Sequence, residues 1–438
     1  MDNAVIRRCI LDFYDAGIPE YVVRDVRIPM LQNMVTTVVG GRKTGKTFLT
    51  YQIINALIES GTIPSLRHVC YLHFDDERLL ELQTDDLSRI DETFMELGNI
   101  TPKDPVLFVF DEIHRIANWE YFVLRLNRNP NWRVVITGSS ADLEEDKVGR
   151  QLRGKTITIH LYPLSFAEYL RFRGRDVIKP GFSTSESAGL AGHFNDYLRI
   201  GSYPAMAYTE DEYRLDLLRQ YFNSIVAADF LENRKIVDPL ACKLFLRNIL
   251  RRNACPYMHK KEHNALASMG HAVHRNSIAQ WFDWACESYL IGVNAINSPS
   301  VKKQQQNYRK LYAIDWALAN AVSAFREPRL AQALESVVYW ELRRRGLATS
   351  YELVGPGKHE IDFLAGPQQA APELAIQVCA DLSDPTTLER EERSLAIRLE
   401  LGGTPVEPLI LTLYAPSPAM RTRFPVKRTW EWCLDQDG

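Results

Sequence analysis

Short apolar runs alternate with a segment of helical spacing in the first 140 residues of the chain. Val35–Val39 is an uninterrupted β-branched run, and further apolar runs lie at 106–110 and 134–136. Such runs are typical of strands that are buried on both faces of a parallel sheet. Residues 48–57 carry apolar side chains at helical spacing, which predicts a helix soon after the first run. The pattern therefore predicts an α/β fold with a parallel sheet.

A glycine-rich segment joins the first predicted strand to the helix. It reads Gly40-Gly41-Arg42-Lys43-Thr44-Gly45-Lys46-Thr47, the pattern of a P-loop. Its glycines let the backbone wrap a phosphate chain, and N–H groups at the helix N-terminus face the anion. We expect Lys46 to reach the β- and γ-phosphates of ATP and the Thr47 hydroxyl to bind Mg²⁺. The expected nucleotide contacts are Gly40, Gly41, Arg42, Lys43, Thr44, Gly45, Lys46, Thr47 and Phe48. The alternative, a turn that binds nothing, is disfavoured by the flanking strand and helix.

Two carboxylates follow the apolar run 106–110. We expect Asp111, at the end of that strand, to hold Mg²⁺ directly or through water. Glu112 is expected to be catalytic together with Lys46, because a carboxylate beside the metal can polarise the attacking water. An ordinary strand end capped by acids has the same sequence pattern. The pair makes hydrolysis of ATP the expectation rather than binding alone.

Small hydroxyl side chains end the next predicted strand. Thr137 and Ser139 are placed to hydrogen-bond the γ-phosphate or its attacking water. A hydroxyl-rich turn without nucleotide contact explains the same residues equally well. Both interpretations stay open.

Composition limits the class of protein. The 438 residues suffice for roughly two to four domains of about 150 residues each, with apolar and charged fractions of 46% and 24% that are ordinary for globular proteins. A net charge of −3 excludes a uniformly basic coat for nucleic acid, so any DNA contact would depend on local patches. No run approaches the ~18 apolar residues of a membrane helix, and the first residues lack a signal-peptide pattern. With seven scattered cysteines and no C-x-x-C pair, we expect a cytoplasmic protein with reduced thiols and no membrane partner.

An ordered series of motifs resembles one prokaryotic family of AAA-type P-loop ATPases that carry a C-terminal domain of unknown function. The motifs are the P-loop, residues 71–77, Asp111-Glu112-Ile113-His114 with Trp119-Glu120, and residues 137–140, 152–155 and 163–170. The resemblance covers nearly the whole chain. His114 departs from it, since glutamine is more usual at that position.

The same resemblance implies an arginine finger within residues 149–154. Arg150 and Arg153 are the two candidates for this catalytic role. Such a residue, supplied in cis or by a neighbouring subunit, neutralises charge in the transition state. The competing interpretation is that both arginines lie on a solvated surface. A homo-oligomer or a protein partner is therefore a further expectation.

The pattern changes beyond about residue 175. From about 214 to 325 the sequence is mostly helical and includes a run that resembles a winged helix-turn-helix, with 277–285 as its second helix and 302–312 as its wing. Basic residues there and upstream form the best candidate for a phosphate-contacting face: Lys243, Arg247, Arg251, Arg252, Lys260, Lys261, Lys302, Lys303, Arg309 and Lys310. A winged helix binds DNA or serves as a packing module, and the sequence leaves both open.

The last segment resembles the PD-(D/E)XK nuclease core. In that core a helix acid, a strand-end Asp and the acid of E-x-K bind a metal ion, and the Lys assists the attacking water. Glu335 and Asp362 fit the first two metal-ligand positions, and Gln377 takes the third. Cys379 stands where the lysine should be. The alternatives are an active metal nuclease and a nuclease-like fold retained for binding or assembly.

These observations predict an α/β P-loop NTPase domain with a parallel sheet at 1–175. A helical, winged-helix-like region at 176–325 and a small α/β restriction-endonuclease-like domain at 326–438 are expected to follow. The leading hypothesis is a Mg²⁺-dependent ATPase that drives or gates a C-terminal module for nucleic acid or a partner. The alternatives are a nucleotide-gated scaffold with negligible turnover and an ATP-regulated, metal-dependent nuclease.

Overall fold

The computed structural model describes residues 3–29, 31–138, 152, 154–177, 181–232, 234–323, 329–357, 359–417 and 420–435. The chain divides into two compact units, Met1–Leu161 and Tyr162–Gly438, called unit one and unit two below. The boundaries at 175 and 325 stay a prediction. Within the described residues, no helix has the length and apolar character needed to cross a membrane.

Unit one is built on a parallel sheet with helices. Its described elements are α1 (Asn3–Ala16), β1 (Val35–Val39), α2 (Lys46–Glu59), β2 (Val69–His73), α3 (Ser88–Gly98), β3 (Val106–Asp111), α4 (Trp119–Leu126), β4 (Trp132–Thr137) and β5 (Thr156–His160). The strand order among these residues is β2-β3-β4-β1-β5, and each neighbouring pair is parallel. The predicted parallel sheet with helices is confirmed.

The central strands of unit one are buried because their side chains are apolar or β-branched on both faces. Every residue of β1 and of β3 is buried, as the apolar and β-branched runs predict. Because parallel strands end at one edge of the sheet, the ends of β1, β4 and β3 lie side by side. The P-loop, Thr137 and Asp111 follow or end these three strands. The sheet therefore brings the predicted site together at one edge.

Unit two combines helices with a mixed sheet. Its described elements are α5 (Phe166–Phe172), α6 (Thr184–Ile200), α7 (Asp211–Ile225), a π-helical turn (Val226–Glu232), α8 (Pro239–Arg251), β6 (Cys255–Tyr257), α9 (His259–Ser268), α10 (Arg275–Glu287), β7 (Ile291–Ile296), α11 (Val301–Gln306), β8 (Arg309–Ala313), α12 (Trp316–Ala321), α13 (Leu330–Arg344), β9 (Ala348–Val354), β10 (His359–Gly366), β11 (Leu374–Cys379), α14 (Pro385–Glu400), β12 (Glu407–Thr412), β13 (Val426–Arg428) and α15 (Thr429–Leu434). Among these residues the strand order is β13-β12-β11-β10-β9-β7-β8-β6.

Strand β7 links the two parts of that sheet. Its first residues pair antiparallel with β8, and its last two, Ala295 and Ile296, pair parallel with β9. Across the same junction the ring of Tyr312 on β8 stacks on Tyr339 of α13, with ring centroids 4.3 Å apart. The indole of Trp340 donates to the backbone oxygen of Ala313 at 2.7 Å. The segments predicted to be winged-helix-like and nuclease-like therefore share one core.

Residues 302–312 differ from the predicted wing. The Ser300 side chain accepts a hydrogen bond from the backbone N–H of Lys303 and caps α11, and residues 309–313 form β8. Lys310 was expected on a phosphate-contacting face, but its residue is only 4% exposed. That expectation is wrong for Lys310, because three carboxylates surround its ammonium group.

Candidate active site

The backbone between β1 and α2 favours glycine at two positions, Gly40 and Gly45. A Cβ atom on Gly40 would lie 2.2 Å from the backbone oxygen of Leu161, so no other residue fits there. Gly45 has φ of +97°, in the left-handed region, immediately before α2 begins at Lys46. The backbone N–H groups at the start of α2 have no partners within the helix and are available to an anion.

Lys46 lies over this loop. Its ammonium group donates to the backbone oxygens of Gly40 at 3.1 Å and Gly41 at 3.2 Å, and its residue is 7% exposed. The hydroxyl of Thr44 also donates to the Gly41 oxygen, at 2.9 Å. These contacts place one fixed positive charge at the glycine-rich turn.

Asp111 ends β3 and is fully buried at the same edge of the sheet. Its Oδ2 atom accepts from the Thr47 hydroxyl at 2.7 Å and from the Tyr71 hydroxyl at 3.2 Å. His73 Nε2 lies 3.5 Å from the same oxygen. Burial, reinforced by the charge of Asp111, raises the pKa of Tyr71 far above its usual value, so the phenol remains a donor. The two residues predicted to hold Mg²⁺, Thr47 and Asp111, are thus in direct contact.

Thr137 connects the two predicted acidic residues. Its hydroxyl donates to Oδ1 of Asp111 and accepts from the backbone N–H of Glu112 at 3.1 Å. The Thr137 residue is fully buried at the end of β4. Both hydrogen-bonding functions of this hydroxyl are therefore used within the site, which the sequence did not indicate.

Glu112 adopts an uncommon backbone conformation directly after β3. Its φ is +59°, in the left-handed region, which non-glycine residues visit rarely. Its Oε2 atom lies 3.3 Å from Nδ1 of His114, and its side chain is 21% exposed. The departure of His114 from the family pattern thus adds a ring nitrogen beside the predicted catalytic carboxylate.

Sequence reasoning missed Arg24, which lies in the segment before β1. Its guanidinium donates to the backbone oxygen of Thr44 at 2.8 Å, and its residue is 5% exposed. Its backbone N–H and oxygen both bond the side-chain amide of Gln52 on α2, at 2.9 and 3.0 Å. Arg24 therefore links the P-loop to α2 by hydrogen bonds and stabilises the conformation of the loop. No local pattern marks it, because its partners lie 20 and 28 residues further along the chain.

The remaining predicted nucleotide contacts are placed only in part. Phe48 is 50% exposed on the first turn of α2, and Lys43 is exposed with φ of +65°. Ser139, Arg150 and Arg153 lie outside the described residues. Their assigned roles stay predictions.

The residues predicted as a nuclease-like metal site occupy α13, β10 and β11 of unit two. Glu335 and Asp362 both contact the ammonium group of Lys310. Gln377 bonds the backbone instead: its Oε1 accepts from the N–H of Asp362 at 2.8 Å, and its Nε2 donates to the oxygen of Glu360 at 3.2 Å. The structure therefore brings two of the three predicted ligands together around a lysine.

The residues of unit one fit ATP with Mg²⁺. Such a ligand requires a backbone turn without a Cβ atom, a lysine over that turn, and two adjacent oxygen ligands for the ion. Gly40, Lys46, and the pair Thr47 and Asp111 supply these features. Thr47 and Asp111 would hold the metal ion, and Lys46 with the N–H groups of α2 would hold the phosphates.

Comparison with known proteins identifies the class of the chain. Residues 32–170 match the family model of an AAA domain, and residues 191–329 match a domain of unknown function, DUF8612. An uncharacterized protein of Methanocaldococcus jannaschii is 33% identical over 372 residues, which cover 84% of this chain and 79% of the relative. The chain belongs to the same protein family as this relative. The predicted AAA-type P-loop ATPase domain is thereby confirmed.

Two further proteins are similar to this AAA-domain protein. An uncharacterized protein of Haemophilus influenzae is 25% identical over 358 residues, which cover 81% of this chain and 84% of that protein. A Walker-type ATPase of Pyrococcus abyssi aligns in structure over 73% of this chain and 95% of its own, with 13% identity and a TM-score of 0.38.

Proposed function

We propose that unit one binds ATP with Mg²⁺ and hydrolyses it. The observation that carries the proposal is the network in which Thr137 ties Asp111 to Glu112 while Asp111 contacts Thr47 of the P-loop. A loop that only cradled a phosphate would not require an acid pair to be held in this way at the adjacent strand ends.

Each side chain has a separate role in this proposal. When bound, Mg²⁺ neutralises the charge of the phosphates. Lys46 leaves its two carbonyl partners to contact the β- and γ-phosphates, and Thr47 and Asp111 orient the ion. Glu112 accepts a hydrogen bond from the attacking water and turns it towards the γ-phosphate. Thr137 is a positioning residue, since its hydroxyl fixes both carboxylate-bearing residues.

The experiment is steady-state ATP hydrolysis by the full chain with Mg²⁺. Lys46→Ala should remove nucleotide binding, measured with a fluorescent ATP analogue, and turnover with it. Lys103→Ala is the matched control, because Lys103 is an exposed lysine of unit one outside the P-loop. Equal affinity for ATP in Lys46→Ala and Lys103→Ala would contradict the proposed site.

The arginine finger is a separate part of the proposal. Arg150→Ala and Arg153→Ala should each be compared with wild type, and loss of one finger is expected to lower kcat by about 10³-fold or more with little change in ATP affinity. Mixing a finger-deficient variant with Glu112→Gln distinguishes a finger in cis from one in a neighbouring subunit. Recovered turnover in the mixture supports a homo-oligomer.

We further propose that unit two reads the nucleotide state through contact with DNA. Its segment runs α8-β6-α9-α10-β7-α11-β8, which is the order of a winged helix with a short helix, α11, between the last two strands. Strands β6 and β7 are each antiparallel to β8. Lys243, Arg247 and Arg251 recur every four residues along α8, which carries no acidic residue. Four-residue spacing puts these cations on one helix face, as a phosphate-contacting surface requires.

DNA binding is tested by fluorescence anisotropy at several salt concentrations. Replacing Arg247 and Arg251 by Ala should weaken binding and reduce the slope of log K against log salt by about 2. Arg421→Ala, an exposed arginine elsewhere in unit two, is the control. Unchanged affinity in the double variant would favour a winged helix used for packing.

A nucleotide-gated scaffold with negligible turnover is the second candidate function. The contact between His114 and Glu112 favours it in one respect, since a ring nitrogen 3.3 Å away can hold the carboxylate back from water. Single-turnover hydrolysis with and without DNA separates the candidates. If the protein is a scaffold, most of the bound ATP should dissociate before it is hydrolysed, both with and without DNA.

A further inference from the structure

Unit two contains a lysine whose position among three carboxylates no sequence motif predicts. Lys310 of β8 lies with its Nζ atom 2.5 Å from Glu335 Oε1 on α13. The same atom lies 3.0 Å from Glu360 Oε1 and 3.1 Å from Asp362 Oδ1, both on β10. The Lys310 side chain is 5% exposed, against 15 to 30% for the three acids. One ammonium group thus joins three elements that are remote in sequence.

Hydroxyl groups complete the surroundings of this cluster, which we call the Lys310 cluster (Lys310, Glu335, Glu360 and Asp362). The Tyr312 hydroxyl donates to Glu335 Oε1 at 2.8 Å, and the Tyr308 hydroxyl donates to Glu360. Burial lowers the pKa of Lys310, but Tyr312 and the three carboxylates around the ammonium group raise it well above its usual value. The lysine therefore stays charged.

The arrangement does not fit a divalent cation. Oδ2 of Asp362 already accepts from the backbone N–H of Val378 at 3.0 Å, while its Oδ1 faces the lysine. The carbonyl oxygen of Gln377 is used by the N–H of Asp362, and its Nε2 also donates to Glu391 at 2.7 Å. In the part of the chain that the structure describes, no three His, Cys, Asp or Glu side chains are grouped so that they could hold a metal ion. A metal ion here would have to displace Lys310.

The position of Cys379 agrees with this picture. Its thiol donates to the backbone oxygen of Asp381 at 3.2 Å, and burial raises the pKa of the thiol. It therefore supplies no charge to the neighbouring acids. In a nuclease of this type the metal ion and the motif lysine supply positive charge to the acids. Here Lys310 of β8 supplies it instead.

We propose that the Lys310 ammonium replaces the catalytic metal ion of a nuclease and fastens the winged-helix-like segment to the nuclease-like segment. Lys310 enters from β8, the last strand of the winged-helix-like order, whereas its partners belong to α13 and β10. Removing one partner of a buried ion pair is costly because the other charge stays buried. The cluster consequently occupies the position that a metal ion would need, and it joins the two segments. This inference is independent of ATP hydrolysis.

The test compares Lys310→Met with Lys302→Met in the full chain, both made in an Asp111→Asn background to weaken ion binding in unit one. Lys302 is an exposed lysine of the neighbouring α11 and serves as the matched control. Thermal unfolding is followed with EDTA and with Mn²⁺, and bound Mn²⁺ is counted from its EPR signal.

The background protein and Lys302→Met should bind no Mn²⁺ at unit two, and Mn²⁺ should not raise their Tm. Lys310→Met should lower Tm by roughly 10 °C, and Mn²⁺ should partly restore it as the bare carboxylates gain a cation. If Lys310→Met does not fold, Lys310→Met with Glu335→Gln supplies the second variant, and it should fold because the excess negative charge is smaller. One Mn²⁺ bound by the background protein and lost with Asp362→Asn would overturn the proposal. An unchanged Tm in Lys310→Met would overturn it equally.

Discussion

Replacing Thr137 by Val removes one hydroxyl from the centre of the proposed active site and keeps the shape of the side chain. The hydrogen bond to the charged Asp111 is worth ~1.5–3 kcal/mol and the one from the Glu112 N–H ~0.5–1.5 kcal/mol. Asp111 keeps its donors Thr47 and Tyr71, both on its other oxygen. We therefore expect unit one to lose roughly 2–4 kcal/mol of unfolding free energy.

The same change should also slow catalysis. Glu112 loses the bond that fixes its backbone, so the carboxylate no longer holds the water in line, and kcat should fall by about 10- to 100-fold while KM for ATP changes little. Stability is measured by urea unfolding of the full chain followed in the near ultraviolet, and turnover by phosphate release. Thr137→Ser is the control, since it keeps the hydroxyl. If Val and Ser variants had equal stability and equal kcat, the bridging role of this hydroxyl would be refuted.

Three further changes test the contact of Arg24 with the P-loop, the need for glycine at position 40, and the Lys310 cluster. Arg24→Ala should weaken ATP binding by about 10-fold in a titration, because the P-loop loses its bond at Thr44, whereas exposed Arg27→Ala should bind normally. Gly40→Ala should abolish ATP binding, since its Cβ would meet a backbone oxygen at 2.2 Å, while Gly189→Ala, open within α6, should leave binding unchanged and raise Tm slightly. Burial raises the pKa of Glu335 to about 7, so the native state holds one more proton than the unfolded state between about pH 4.5 and 7. The free energy of unfolding should therefore fall as pH rises through that window. Glu335→Gln should flatten this slope, measured by urea unfolding at several pH values.

The strands and the P-loop of unit one follow directly from local sequence. The bounds of β1 agree with the β-branched run 35–39, and β3 ends at the predicted Asp111, because burial on both faces requires a continuous apolar run. The P-loop is equally local, since the phosphate cradle needs glycine at Gly40 and Gly45 whatever the rest of the chain does.

The support around these motifs could not be predicted in the same way. Thr137 was expected at the γ-phosphate or in a plain turn, yet its partners are Asp111 and Glu112, 26 and 25 residues away. Lys310 looked like one basic residue of a wing, and only the fold places it beside Asp362, 52 residues on. Side-chain partners at such separations depend on how the strands are ordered, which hydrophobic periodicity does not encode.

Single-turnover hydrolysis of ATP by Glu112→Gln tests the central claim most directly. With enzyme in excess over labelled ATP and Mg²⁺, the variant should bind ATP as tightly as wild type and hydrolyse it at least about 100-fold more slowly, because an amide no longer accepts the proton of the attacking water. Hydrolysis by Glu112→Gln at the wild-type rate would contradict the assignment of Glu112 and with it the proposed active site.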